Sequence, residues 1–198
     1  PRPAPPDAAR PGAAARAALV DPALGFYRQP ALRGDRLVFV AEGDLWQASA
    51  AGGTAQRLTT HGGVETYPAL SADGRWIAFT GQQESASDAS AMPAAGGVPR
   101  RLTWDTGAVR VWGITAQNEV LYTGNTERGE PGTQLHLVDI ATGKHRALPV
   151  GQASDGALSA DGKTLYFTRN GLRGDNARQY RGGALAPLSV MGLTRSAG

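Results

Sequence analysis

The sequence predicts an all-β protein, a β-propeller of about four blades with four antiparallel strands in each. Three observations carry that expectation. A segment recurs at a spacing of 44 residues. Short runs rich in β-branched and aromatic residues alternate with Gly, Asp-Gly and Pro punctuation. No stretch combines a helical apolar period with helix caps. A repeat in the low forties that holds four short strands is the size of one propeller blade.

Residues 1–25 read as a disordered leader. The first 18 contain five Pro, eight Ala and three Arg, and they cannot bury enough apolar surface to offset the entropy of ordering. Segments of this kind often follow a removed export signal. The propeller blades are expected over 26–198, and the first copy of the strand run is Gly34-Asp35-Arg36-Leu37-Val38-Phe39-Val40. Gly52-Gly53-Thr54-Ala55-Gln56-Arg57-Leu58-Thr59 returns as Gly96-Gly97-Val98-Pro99-Arg100-Arg101-Leu102-Thr103, a shift of 44. Leu70-Ser71-Ala72-Asp73-Gly74 returns as Leu158-Ser159-Ala160-Asp161-Gly162, a shift of 88. Midway stands Ile114-Thr115-Ala116-Gln117-Asn118, the same turn with Asn in place of Gly.

After each turn comes a strand: Trp76-Ile77-Ala78-Phe79-Thr80, Val120-Leu121-Tyr122-Thr123 and Leu165-Tyr166-Phe167-Thr168. Asp and Asn favour turns and Gly accepts a positive φ, so each corner can join two adjacent strands. A single blade cannot bury both of its faces, so blades stack around an axis. From Tyr27 to Gly198 there are 172 residues, close to four repeats of 44. Four blades make either the smallest closed ring or an arc of a larger one.

Composition removes several function classes. The absence of Cys excludes a disulfide scaffold, a Cys-ligated zinc site and thiol catalysis. Three His (His61, His136, His145) leave little room for imidazole-based catalysis, and no metal-ligand spacing or cofactor motif is present. The net charge is +3, and Arg supplies 18 of the 20 basic residues. These are scattered with no run of four, so no nucleic-acid partner is expected. No apolar run approaches the roughly 18 residues of a membrane span. The chain has no initiator Met and no signal-peptide core, as expected of a mature or excised segment.

Several segments together resemble the first propeller of the tricorn protease family. The opening blade carries Gly34 to Val40, Asp44-Leu45-Trp46, Gly52-Gly53 and Arg57-Leu58-Thr59. The next carries Ser71-Ala72-Asp73-Gly74-Arg75-Trp76-Ile77-Ala78-Phe79-Thr80-Gly81, then Met92-Pro93 and Gly96-Gly97. Arg178-Gln179-Tyr180-Arg181-Gly182-Gly183 is a further, more specific mark. The resemblance covers about Tyr27 to Gly183, although TolB-like proteins and prolyl-oligopeptidase relatives share the bare blade repeat.

The resemblance implies an incomplete segment of a six-bladed propeller within a large serine peptidase that degrades short peptides. The propeller would act as a peptide gate and assembly scaffold. Its partners would be peptides, the remainder of the peptidase polypeptide, and further copies in a hexamer. The catalytic core, with its PDZ and Ser/His regions, is not in this sequence, so no catalytic residue is assigned. Family likeness points to the cytoplasm, and the Pro/Ala leader to the alternative of a periplasmic protein.

Some relatives place an adjacent Arg pair from this propeller where it anchors a peptide's C-terminal carboxylate. The corresponding stretch here, Trp104 to Trp112, is shorter and offers Arg110 alone. Arg binds a carboxylate through a planar two-point fork, which makes Arg110, Arg101 and Arg181 the candidate substrate contacts. Two further departures matter. The third strand of the second blade reads Asp88-Ala89-Ser90-Ala91-Met92, without the usual aromatic or β-branched residues, and is expected to be weak or frayed. After Gly183 the family shows a strand bearing Trp and Asp, where this chain has Pro187-Leu188-Ser189-Val190-Met191-Gly192-Leu193.

Other tempting sites read as structure. His61-Gly62-Gly63 is an inter-blade loop, since no nucleophile elbow accompanies it. Trp104-Asp105 lacks the partner Gly-His of a WD repeat. His136 lies in an alternating strand, Lys144-His145-Arg146 on a solvated strand edge, and Glu127 and Glu130 in a Gly/Pro loop. Two other readings remain open at this point: a TolB-like propeller that binds a partner protein, and a truncated product with no function.

Overall fold

The computed structural model describes residues 26–60, 62–83, 86–104, 107–125, 132–169 and 188–193. They form fifteen strands and no helix, arranged as four antiparallel sheets in chain order. The first blade is β1(Arg28–Arg33), β2(Arg36–Ala41), β3(Asp44–Ser49) and β4(Gln56–Arg57). The second is β5(Val64–Leu70), β6(Trp76–Gln83), β7(Ala86–Pro93) and β8(Arg100–Arg101). The third is β9(Arg110–Ile114), β10(Glu119–Gly124), β11(Gln134–Asp139) and β12(His145–Gln152). The fourth comprises β13(Asp155–Leu158), β14(Thr164–Thr168) and β15(Leu188–Gly192). The Leu188–Gly192 run, which departs from the family pattern, thus serves as a third blade strand and pairs with β14 along its length.

Each blade's first strand packs against the first strand of the next, β1 on β5, β5 on β9 and β9 on β13, so these four line the inner wall. One apolar cluster fills each boundary. Val38, Val40 and Leu45 meet Ile77, Phe79 and Met92 between blades 1 and 2. Ala89, Ala91 and Leu102 meet Val109, Val111 and Tyr122 between blades 2 and 3. Leu121, Leu135 and Leu137 meet Leu165 and Phe167 between blades 3 and 4. A fully buried side chain of this size stabilises by about 1.5–3 kcal/mol, so the boundaries hold the blades in place. Among the described residues no such cluster joins blade 4 to blade 1; the two share a hydrogen bond from Arg33 Nη2 to Ala160 O, at 3.4 Å. Tyr166, Leu188 and Val190 on blade 4 and Leu32 on blade 1 stay exposed.

The first hairpin of every blade turns at a residue with positive φ: Gly34 (57°), Gly74 (69°), Asn118 (60°) and Gly162 (68°). Asn118 therefore does the work of the Gly it replaces, as its place in the repeat predicts. The Ser-x-Asp turns are built alike 88 residues apart. Ser71 Oγ donates to Asp73 Oδ1 (2.6 Å) and accepts from Trp76 N–H (2.9 Å). Ser159 Oγ donates to Asp161 Oδ1 (2.5 Å) and accepts from Thr164 N–H (2.9 Å). The Ser71 hydroxyl and the Arg75 backbone N–H hold the Asp73 carboxyl well below the usual carboxylate range.

The expectation of a frayed strand at 88–92 is corrected. β7 runs eight residues and pairs with β6 at every one of them. Its small side chains are what the site requires. Ala89 and Ala91 are buried against blade 3, where a β-branched or aromatic residue would hold the blades apart. Asp88, also buried, is tied to Arg101 (2.5 Å) and to Thr103 Oγ1 (3.0 Å).

The turn glycines differ in what a side chain would meet. A Cβ on Gly34 would meet nothing within 4 Å, whereas one on Gly162 would lie 2.5 Å from Ala116 N and 3.0 Å from Thr115 C in the preceding blade. Gly34→Ala is expected to cost about 1 kcal/mol from its left-handed backbone alone. Gly162→Ala adds the backbone collision across the boundary and is expected to cost at least about 2 kcal/mol. Urea unfolding of both variants separates the two; equal losses would show that the boundary contact is not what holds Gly162.

Candidate functional site

The inner strands are irregular at one place each. Pairing of β1 with β2 slips between Arg28 and Ala31, that of β5 with β6 between Thr66 and Ala69, and that of β9 with β10 at Leu121/Tyr122. These bulges add a residue and re-aim side chains. They fall at Gln29, Tyr67 and Trp112, and two of the three residues take a positive φ, Gln29 at 51° and Tyr67 at 52°. The amide oxygen of Gln29 accepts the Tyr67 backbone N–H at 2.8 Å, which links blade 1 to blade 2.

Arg110, the first residue of β9, lies between the bulged aromatics. Its guanidinium carbon is 4.1 Å from the centre of the Tyr67 ring and 3.7 Å from that of Trp112. Trp112 is anchored in turn by a hydrogen bond from Nε1 to Thr123 Oγ1 (3.0 Å) and by packing against the cluster between blades 3 and 4. The guanidinium thus contacts two rings, and each cation–π contact contributes roughly 0.5–2 kcal/mol. Nε of Arg110 is buried with no hydrogen-bond partner, and no carboxylate pairs with this side chain among the described residues.

The buried, unmet Nε sets Arg110 apart among the described residues. Arg57, Arg75, Arg101 and Arg146 are paired with Asp44, Asp73, Asp88 and Glu119. A buried, unmet N–H of a cation costs of order 1–3 kcal/mol. The arrangement is a positive charge held on the inner wall between two rings, with its Nε buried.

Of the three candidate contacts, Arg110 lies on the inner wall. Arg101 lies on the outermost strand of blade 2, where its guanidinium serves Asp88 and the Thr103 carbonyl (2.8 Å) and lies 5.8 Å from the centre of the exposed Trp104 ring. Arg181 lies outside the described residues, as do the rest of the Arg178–Gly183 motif, His61, Asp105, Glu127 and Glu130. Arg100 bonds blade 3 through the carbonyls of Ile140 (3.0 Å) and Ala141 (2.9 Å). His136 is buried and stacked on Tyr122, whose hydroxyl is 3.0 Å from His145 Nδ1. Sequence reasoning singled out Arg110 but missed its cage. The signal was available: the 44-residue shift sets Tyr67 beside Val111, and strand alternation puts Trp112 on the same side as Arg110.

Comparison with known proteins agrees with this architecture. The family model for the tricorn protease N-terminal beta propeller domain matches residues 24–197. A tricorn protease homologue of Streptomyces coelicolor is 34% identical over 181 residues, which cover 85% of this chain and 16% of the relative. The chain therefore spans about a sixth of that relative's length. Among solved structures, the tricorn protease superposes with a TM-score of 0.67 at 22% identity, over 84% of this chain and 17% of that one. TolB from Acinetobacter baumannii superposes with a TM-score of 0.65 at 19% identity, over 85% of this chain and 41% of that one. At these identities the structural likeness shows the fold.

The cage predicts where Arg110 does not contribute. Arg110→Met keeps much of the stem between the rings and removes the charge and the unmet N–H. It is expected to change unfolding free energy by less than about 1 kcal/mol in either direction, whereas Tyr67→Ala is expected to lose about 3 kcal/mol of aromatic packing. Chemical denaturation measures both. A loss above about 2 kcal/mol for Arg110→Met would mean that the arginine is there to hold the blades.

Proposed function

The chain belongs to the tricorn protease N-terminal β-propeller family, and on that premise we propose that it is the propeller segment of a tricorn-like serine peptidase that degrades short peptides. In this reading it gates peptides and supports assembly, while the catalytic residues lie elsewhere in the peptidase. Its partners are then peptides, the remainder of that peptidase and further copies in a hexamer, and its compartment the cytoplasm.

One observation carries the gating role. Arg110 is a guanidinium fixed between Tyr67 and Trp112 on the inner wall, with a buried Nε that nothing satisfies. A peptide's terminal carboxylate supplies the counter-charge that no carboxylate among the described residues gives this guanidinium. Preorganisation lowers the cost of capture, because the rings already restrict the side chain. Arg101 and Arg181 complete the proposed set of carboxylate contacts, with Arg101 on the outer rim and engaged with Asp88.

The test compares short peptides with free and amidated C-termini by titration calorimetry, on this chain and on the whole polypeptide that carries it. Free peptides are expected to bind at least about 10-fold tighter than amidated ones, and Arg110→Ala to abolish the difference. Arg110→Lys is expected to keep part of the affinity, since it retains charge but loses the planar fork. Equal binding of free and amidated peptides by the native protein would overturn the carboxylate-gate reading.

A further inference from the structure

Glu65 breaks the pattern of the repeat in which it sits. Its backbone N–H crosses the boundary between blades 1 and 2 to Gly43 O (2.7 Å). The same cross-boundary bond is made by Val109, to Ser87 Oγ (2.8 Å), and by Ala153, to Thr133 O (2.9 Å). Residues 65, 109 and 153 are spaced by 44, so they are equivalent positions at three successive boundaries. All three are buried, at 2%, 3% and 0% exposure. Two are apolar, as a packed boundary requires. The first is a carboxylic acid.

Its surroundings are short of protons. Thr59 Oγ1 accepts the Leu45 N–H (2.9 Å) and lies 2.9 Å from Glu65 Oε2 and 3.3 Å from Asp44 Oδ1. A hydroxyl has one hydrogen to donate, so it cannot serve two ionised carboxylates at once. Three groups of charge face Glu65: Asp44 from β3 and Arg57, paired with it, from β4, and Arg101 of β8 across a small cavity of about 70 Å³ that both residues line. Arg101 is in turn engaged with Asp88. In the second blade, Asp88, Arg101 and Thr103 repeat the Asp44, Arg57 and Thr59 arrangement, but Val109 takes the place of the second acid.

We propose that the boundary between blades 1 and 2 is a proton-operated joint: protonated Glu65 supplies the hydrogen that completes the Asp44–Thr59–Glu65 cluster, and loss of that proton loosens this boundary and not the other two. The energetic direction agrees. Burial, the largest cause, pushes the Glu65 carboxyl up to about 7; the Thr59 hydroxyl and the Arg57 charge oppose this, and the Asp44 charge and hydrogen bond add to it. An acid whose folded value is raised takes up a proton on folding. Its contribution is therefore greatest below the ordinary glutamate range, falls as pH rises from about 4.5 to about 7, and is level above that.

Segment-resolved amide exchange at pH 5.5 and 8.5, corrected for intrinsic rates, tests the joint. In the native protein, the segments around Leu45, Leu58 and Glu65 are expected to open at least about 10-fold more readily at the higher pH. Segments around Val109 and Ala153 are expected to change by less than about 2-fold. Glu65→Gln keeps the shape and the Thr59 contact, and Glu65→Val copies the second boundary; both are expected to remove the pH difference. A response shared by all three boundaries, or one that survives in Glu65→Gln, overturns the proposal. If neither variant folds, a carboxyl carbon NMR titration of Glu65 in the native chain decides: a midpoint near 4.5 overturns it, and one near 7 upholds it.

Discussion

Every blade depends on burial that only its neighbour can supply. A four-stranded sheet has two faces, and the sheets here hide theirs in clusters that always combine two consecutive blades. Polar groups obey the same constraint. The backbone bonds from Glu65, Val109 and Ala153 cross each boundary at the same point, joining the entry of one inner strand to the third strand, or the approach to it, in the preceding blade. The structure is thus a chain of nearest-neighbour contacts, in which a change at one boundary is felt first by the two blades beside it.

The inner wall inherits its irregularity from that packing. Inner strands lie against one another across the boundaries, and their bulges shift side chains there while the central pairs β2–β3, β6–β7 and β10–β11 keep a regular register. Gln29, Tyr67 and Trp112 occupy these bulges, and together with Arg110 they connect blades 1, 2 and 3 through one amide bond and two ring faces. The site is therefore assembled by three blades, and none of them contains it alone. Its cation keeps its place through aromatic contact, where Arg57, Arg75, Arg101 and Arg146 use carboxylates and Arg33 and Arg100 use backbone carbonyls.

Much of the fold was legible because the repeat is nearly literal. The 44-residue spacing and the Asp-Gly corners give blade size, hairpin positions and even the left-handed Asn118. What local composition misjudged was β7, because strand propensity records how a residue fills a half-buried surface, and this surface is closed by a neighbouring blade that needs Ala. The candidate arginines were legible as a type but not as places. Only the sheet order shows that Arg101 is on an outer strand and Arg110 on an inner one. Tyr67 escaped notice because its role comes from a bulge with positive φ, which no residue in Tyr-Pro-Ala announces. The signal for Glu65 was the repeat itself, in which an acid stands where its two equivalents are Val and Ala.

Two departures from sound packing chemistry among the described residues are close together. Glu65 is an acid in an apolar position, Arg110 is a cation without a carboxylate, and Tyr67, which covers one face of Arg110, lies two residues from Glu65 on β5. Neither departure is repeated at the equivalent positions, which are Val109 and Ala153 for Glu65 and Thr66 and Ser154 for Arg110. A scaffold that repeats a good solution elsewhere has no structural need to abandon it here. Local rules that fail at adjacent points of an otherwise consistent repeat mark where something other than stability has shaped the chain. Here those points are the inner wall of blades 2 and 3 and the boundary that carries Glu65.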